Sequence, residues 1–297
     1  MEQSFEKKLL KKRLIIFVVL VMALGWGFFL SIPLMGITYG EGLSIALLTG
    51  AMLTPTLSNL LTRLITKEGF KNMYLRPNFK GNIKKYLVVY FGPTMLLFLS
   101  GAFYFLIFPQ QFDSQLTTLQ SVTQQTTTLT PSSLLLISVL QVIIIGPVIN
   151  IIPTLGEELG WRGYLQPKLC QVVSDRAALV ITGVIWGVWH LPVIIMGHNY
   201  GTDYIGYPWL GILAMILFCV SLGVIEGYAT IKLKSAVPAA MIHSMVNASA
   251  ALPIYLAKGD YNLILGPAIF GVVGGLPFLL VAIWLLIKVG KKPAINS

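Results

Sequence analysis

The stretch Leu14–Ile37, "LIIFVVLVMALGWGFFLSIPLMGI", decides the fold class. It carries no charged residue and exceeds the roughly 18 apolar residues that mark a bilayer-spanning helix. Lys7, Lys8, Lys11, Lys12 and Arg13 precede it, and no small-residue cleavage site follows. It therefore reads as a retained first span rather than a cleaved signal peptide.

Working outward, further apolar runs occupy 42–66, 86–108, 132–155, 177–197, 209–231, 235–257 and 262–288. The chain is 56% hydrophobic and 11% charged, with mean hydropathy +0.79, which excludes an ordinary soluble domain of 297 residues. Alternating ten-residue segments of a membrane β-barrel are absent. The expectation is an all-α, polytopic membrane helix bundle of about eight transmembrane helices, with residues 1–297 forming a single integral membrane domain. Two cysteines, Cys170 and Cys219, offer neither a disulfide framework nor metal-type spacing.

The net charge of +10 concentrates at alternate loops rather than on a nucleic-acid footprint. Lys and Arg crowd the N-terminus, the 67–85 loop, the segment after the fourth run, Lys232 and Lys234, and the C-terminus. The intervening loops lack them, apart from Lys258. This is the positive-inside pattern, predicting a multi-pass cell-membrane protein with both termini cytoplasmic, membrane lipid as a partner and no nucleic acid. The Thr/Gln-rich 109–131 segment is expected to be an external loop poor in packed structure. No internal repeat is visible, which weighs against inverted-repeat transporters.

Ionisable groups inside apolar runs are costly, so each is a functional candidate. "GEELGWRG" (Gly156–Gly163) holds Glu157, Glu158 and Arg162. Glu158 and Arg162 are one helical turn apart in the favourable order, while Glu157 points about 100° away. In "WGVWHLP", Trp186 and His190 share a face, and Pro192 denies the Val188 carbonyl its helical partner, predicting a distortion beside His190. In "MIHSMVNAS", His243 and Asn247 are again four apart and can donate to one point, as an oxyanion requires. The bland alternatives are a boundary charge cluster for the glutamates and polar contacts between helices for the rest. Glu226, near Lys232, reads as a pairing or snorkelling residue. Together the groups supply the parts of a hydrolytic site, with a carboxylate as general base.

These motifs resemble the CPBP family of intramembrane proteases, which includes CAAX prenyl proteases and bacteriocin-processing or self-immunity proteins. Glu157-Glu158-x-x-x-Arg162, Trp186-x-x-x-His190 and His243-x-x-x-Asn247 agree with the family pattern in order and spacing, within residues 156–250. Trp186 stands where phenylalanine is usual. The resemblance implies a site opening to the cytoplasmic side that cuts a peptide or protein substrate, prenylated or not, near its C-terminus. It implies that Glu157 activates water beside His190, that His243 and Asn247 stabilise the oxyanion, and that Glu158 and Arg162 orient them. A metal-free mechanism is favoured. Zinc held by His190, His243 and Glu157 is the alternative cofactor arrangement. For those groups to meet, the fourth helix must tilt, kink at Pro147 or Pro153, or continue past Glu158 towards Leu165. Competing readings are a non-enzymatic bacteriocin self-immunity or peptide-binding protein of the same fold, and a proton-coupled transporter using Glu157 and Glu226.

Overall fold

The first apolar run forms one continuous helix, α1 (Glu2–Leu34), in a computed structural model that describes residues 2–122 and 129–290. The second run is broken into α2 (Leu43–Ala51) and α3 (Thr54–Ile65), bent by 41°. Pro55 sits in the first turn of α3, where its missing N–H costs no helical bond. Helix α4 (Ile83–Ile107) follows the basic loop, and α5 (Thr117–Val122) lies in the next connector. The fourth run is also bent by 41°, between α6 (Pro131–Ile144) and α7 (Gly146–Gly160). Gly146 and Pro147 mark the break. Helix α7 passes through a π-turn, Trp161–Leu165, into α8 (Gln166–Leu169). Then come α9 (Asp175–Trp189), α10 (Leu191–Ile195), α11 (Trp209–Leu233), α12 (Val237–Ser249), α13 (Leu252–Tyr255) and α14 (Leu276–Lys288). Among the described residues no strand forms; Phe112 and Ala257 make an isolated bridge.

The all-α fold is as expected, and the span count is lower. Four helices are long and apolar enough to cross a membrane, or up to six when each bent pair counts as one. The other two expected spans hold shorter helices, α9 with 15 residues and α14 with 13. Over 262–275 the chain makes turns instead of helix, because Gly266, Pro267, Gly271, Gly274 and Gly275 punctuate it. The 109–131 connector is better packed than expected. Asp113 is buried and accepts hydrogen bonds from the Thr117 hydroxyl and the backbone N–H groups of Gln115 and Thr117. The Thr117 hydroxyl and these N–H groups hold its pKa below the ordinary carboxylate range against the effect of burial. Residues 123–128 of that connector, and Lys291 and Lys292, lie outside the described residues.

Small residues set the interior helix contacts. A Cβ added at Gly183 or Gly187 of α9 would stand 2.6 Å from the Cα of Val220 or Ile216 on α11. A Cβ at Gly160 of α7 would stand 2.5 Å from the Pro55 backbone on α3. Such spacing lets backbones approach where no hydrophobic force distinguishes helix from lipid.

One end of the bundle gathers the basic residues. Glu68 forms ion pairs with Lys168 at 2.5 Å, Arg13 at 3.3 Å and Arg63 at 3.6 Å, tying α1, α3 and α8 together. Burial would raise the Glu68 pKa, but the hydrogen bond and charge of Lys168, the Tyr164 hydroxyl and Arg63 hold it below its usual value. Arg176 donates to the Val289 and Ile287 carbonyls, joining the start of α9 to the end of α14. Asn78 donates to the Leu233 carbonyl, and the Ala236 N–H donates to Tyr74, fixing the α11–α12 turn to the same basic loop.

Candidate active site

The segment Gly156–Gly163 presents three different faces because the helix turns about 100° per residue. Gly156 and Gly160 face α3, where Thr56 donates to the Gly156 carbonyl at 2.6 Å and Asn59 to the Leu159 carbonyl at 2.8 Å. Glu158 and Arg162 face α11 and α12. Glu157 faces a cavity. As expected, the helix runs on past Glu158, so both glutamates are buried in the bundle instead of lying at its edge.

Glu158 is sealed. Its Oε1 accepts from Arg162 Nη1 at 2.9 Å and pairs with His243 Nδ1 at 3.0 Å. Arg162 Nη2 lies 2.6 Å from Glu226 Oε2, a charge pair outside good hydrogen-bond alignment. Gly223 makes room for this guanidinium, which an added Cβ would meet at 2.9 Å. The Arg162 Cζ also stacks 4.5 Å from the Trp186 ring centroid. Glu226 is therefore a partner of Arg162, not of Lys232 as its position suggested. The side chains of Arg162, Glu158 and Glu226 are all fully buried.

Glu157 is held differently. Its Oε2 accepts from the indole N–H of Trp186 at 2.8 Å and of Trp161 at 3.3 Å. Its Oε1 has no hydrogen-bond partner among the described residues, and the side chain lines a cavity of about 320 Å³. Trp186 thus supplies a donor that phenylalanine cannot.

His190 occupies the junction between α9 and α10, the distortion expected beside Pro192. Its Nδ1 lies 2.9 Å from the Trp186 carbonyl. A carbonyl only accepts, so Nδ1 carries the proton and Nε2 of the neutral ring keeps its lone pair. Trp189 packs edge-on to this ring at 4.9 Å. His198 stacks nearly parallel to it at 6.4 Å, and its Nδ1 meets the Tyr39 hydroxyl at 2.5 Å. His198 also lines the cavity, although by hydropathy it falls in the connector between the 177–197 and 209–231 runs. Its signal was scarcity, since all three histidines of the chain line this one cavity. His243 and Asn247 complete the wall from α12, with Asn247 exposed.

Among the described residues the set whose ligand atoms lie within 4.8 Å of one another is Glu158, Glu226 and His243. The set named from sequence, Glu157, His190 and His243, lines the cavity without gathering in that way. The gathered set fits a catalytic metal poorly. Arg162 already engages both carboxylates, and only His243 of the three lines the cavity. A catalytic metal needs an open position facing substrate.

Residues 135–249 match the family model described as type II CAAX prenyl endopeptidase Rce1-like. A curated relative, CAAX prenyl protease 2 of Methanococcus maripaludis, is 32% identical over 98 residues, covering 32% of this chain. The match spans 36% of that relative's length. Both similarities agree with the resemblance carried by Glu157-Glu158-x-x-x-Arg162, Trp186-x-x-x-His190 and His243-x-x-x-Asn247, and the family this motif-bearing region resembles is that of the CPBP, CAAX-type proteases.

Proposed function

We propose that the protein is an intramembrane endopeptidase of CAAX type, acting as one membrane domain in the cell membrane with cytoplasmic termini. The observation that carries this reading is the Glu157 carboxylate, clamped at Oε2 by two indoles and free at Oε1 beside His190, His243 and Asn247 in one cavity. A fixed carboxylate with one unengaged oxygen can take a proton from water as that water attacks a peptide carbonyl. The unprotonated Nε2 of His190 helps orient the same water. His243 and Asn247 donate to the tetrahedral oxyanion. For His243 to do so, Nε2 must carry a proton while Nδ1–H remains on Glu158, so Glu158 balances an imidazolium. Arg162 and Glu226 hold Glu158 in place.

No step requires a metal. The test uses purified protein and a panel of C-terminally labelled peptides, prenylated and unprenylated. Wild type cleaves; Glu157→Gln, still folded, loses activity by roughly 10²–10⁴-fold, the usual range for a general base. A folded Glu157→Gln protein that still cleaves at the wild-type rate removes the reading. Exhaustive chelation is expected to leave the rate unchanged, and loss restored specifically by zinc would replace the water-activating carboxylate with a metallo-site.

A further inference from the structure

A second cavity, separate from the one Glu157 faces, lies between α4, α11 and α14, with Ile242 of α12 in its wall. Its volume is about 510 Å³, and no residue lines both cavities. On each of the three helices the lining is one stripe that ends in a lysine. On α4 it is Lys85, Val89, Pro93 and Leu96, about 16 Å long by helical rise. On α11 it runs from Ile225 to Lys232, and on α14 from Phe278 to Lys288. All three lysines stand at the basic end of the bundle. Lys85 is in the first turn of α4, directly after the basic loop. Lys232 adjoins the α11–α12 turn tied to that loop, and Lys288 lies between Ile287 and Val289, whose carbonyls Arg176 holds. Beyond the lysines the lining is hydrophobic and aromatic. Val89, Phe278 and Leu285 are buried at its base, while Val88 and Trp284 are exposed, so the trough is open along its side.

The chain does not neutralise these three ammonium groups. None forms an ion pair among the described residues. Lys85 donates to the Asn82 side-chain oxygen at 2.8 Å. Lys232 and Lys288 stand 5.2 Å and 3.9 Å from the ring centroids of Tyr228 and Trp284, which also line the trough. An aromatic face attracts a cation without cancelling its charge. Gly92 leaves the α4 wall open, since a Cβ added there would have its nearest neighbour 3.9 Å away. The chemistry that fits is an anionic head joined to an apolar tail, the head among the lysines and the tail along the helices. A neutral lipid or an apolar helix of a second copy would fill the trough and leave the lysines unmatched. Basic pockets between membrane helices bind anionic lipid headgroups. We propose that this trough is a binding site for one anionic phospholipid, with its phosphate among Lys85, Lys232 and Lys288 and an acyl chain against Val89, Phe278 and Leu285. The site stands on charge and shape alone and is independent of the protease reading.

The test titrates the purified full-length protein in neutral detergent with phosphatidylglycerol or with phosphatidylcholine of matched acyl chains. Native mass spectrometry counts the bound lipid. Wild type is expected to take one phosphatidylglycerol at far lower concentration than phosphatidylcholine. The triple variant Lys85→Gln, Lys232→Gln, Lys288→Gln should bind phosphatidylglycerol about a hundredfold more weakly, at roughly fivefold per lysine. A control triple, Lys7→Gln, Lys8→Gln, Lys11→Gln, removes the same charge from exposed positions of α1 and should bind as wild type does. Gly92→Leu keeps every charge, fills the trough and should also lose the lipid. Equal affinity for the two lipids overturns the proposal. So does an equal loss in both lysine triples, which would make the attraction a property of the whole basic end. Full binding by Gly92→Leu overturns the placement of the acyl chain. If that variant does not accumulate, the two lysine triples decide alone. A wild-type dimer in the same spectra that Gly92→Leu disperses would make this face a contact between copies, and the proposal would fall.

Discussion

Glu157 and Glu158 are adjacent in the chain, both buried, and their surroundings have little in common. Glu158 lies among charges: an arginine one turn away, a histidine from α12, and beyond the arginine a second carboxylate from α11. Glu157 has two indole donors on one oxygen and a cavity before it. The difference teaches that charge neutralisation and reactivity are separated by a single helical step. Glu158 also has one oxygen, Oε2, without a hydrogen-bond partner among the described residues, but it is enclosed in the bundle away from the cavity. The unengaged Oε1 of Glu157 belongs to a side chain that lines the cavity, and that position keeps it for chemistry.

The largest way to break this comparison is through the sealed side. Arg162→Leu leaves Glu158 and Glu226 buried without their cation, a loss of roughly 3–5 kcal/mol for a broken buried pair. Thermal unfolding in detergent should show a large fall in Tm, whereas Glu157→Gln should leave Tm near wild type. Equal Tm values for the two variants would erase the distinction. Next in size is Asn247→Ala. Losing one oxyanion donor typically costs about 10²–10³ in kcat, so cleavage should fall by that factor with KM little changed. A rise in KM alone would make Asn247 a substrate-binding residue. Smaller again is Trp186→Phe, which removes the 2.8 Å bond to Glu157 and keeps the aromatic ring. A hydrogen bond to a charged group contributes about 1.5–3 kcal/mol, so a loss near tenfold to a hundredfold in kcat is expected if the bond positions the base. Full activity would show that the Trp161 donor suffices.

The smallest effect concerns the basic end. Glu68 has a folded-state pKa below its usual value, so its stabilisation is present above the unfolded pKa and is lost as pH falls through the folded one. The stability difference between wild type and Glu68→Gln should be constant near neutrality and shrink below about pH 4. A difference that grows on acidification would contradict the ion-pair account.

Much of this was legible in the sequence. Apolar runs and alternating basic loops revealed a helical membrane bundle, because lipid forces backbone groups into helices. The spacing of Glu158 and Arg162 foretold their pairing, and Pro192 foretold the break at His190. What escaped was long-range. Nothing local links Glu226 to Arg162, since the contact crosses from α7's continuation to α11 and depends on room left by Gly223. His198 escaped because it follows a broken helix and meets Tyr39 from the turn between α1 and α2, far away in the chain. The turns over 262–275 escaped because hydropathy registers oil whether or not it is helical.

The π-turn at Trp161–Leu165 has a consequence for how this chain can vary. It separates Glu157 and Glu158 on one side from Lys168, which anchors on Glu68, on the other, and its own Tyr164 donates to the same carboxylate. Removing one residue there would rotate one group by about 100° against the other. Either Glu157 would leave its cavity and Glu158 its arginine, or the helix would lose its mooring. The segment is thus a spacer of fixed length, closed to insertion or deletion.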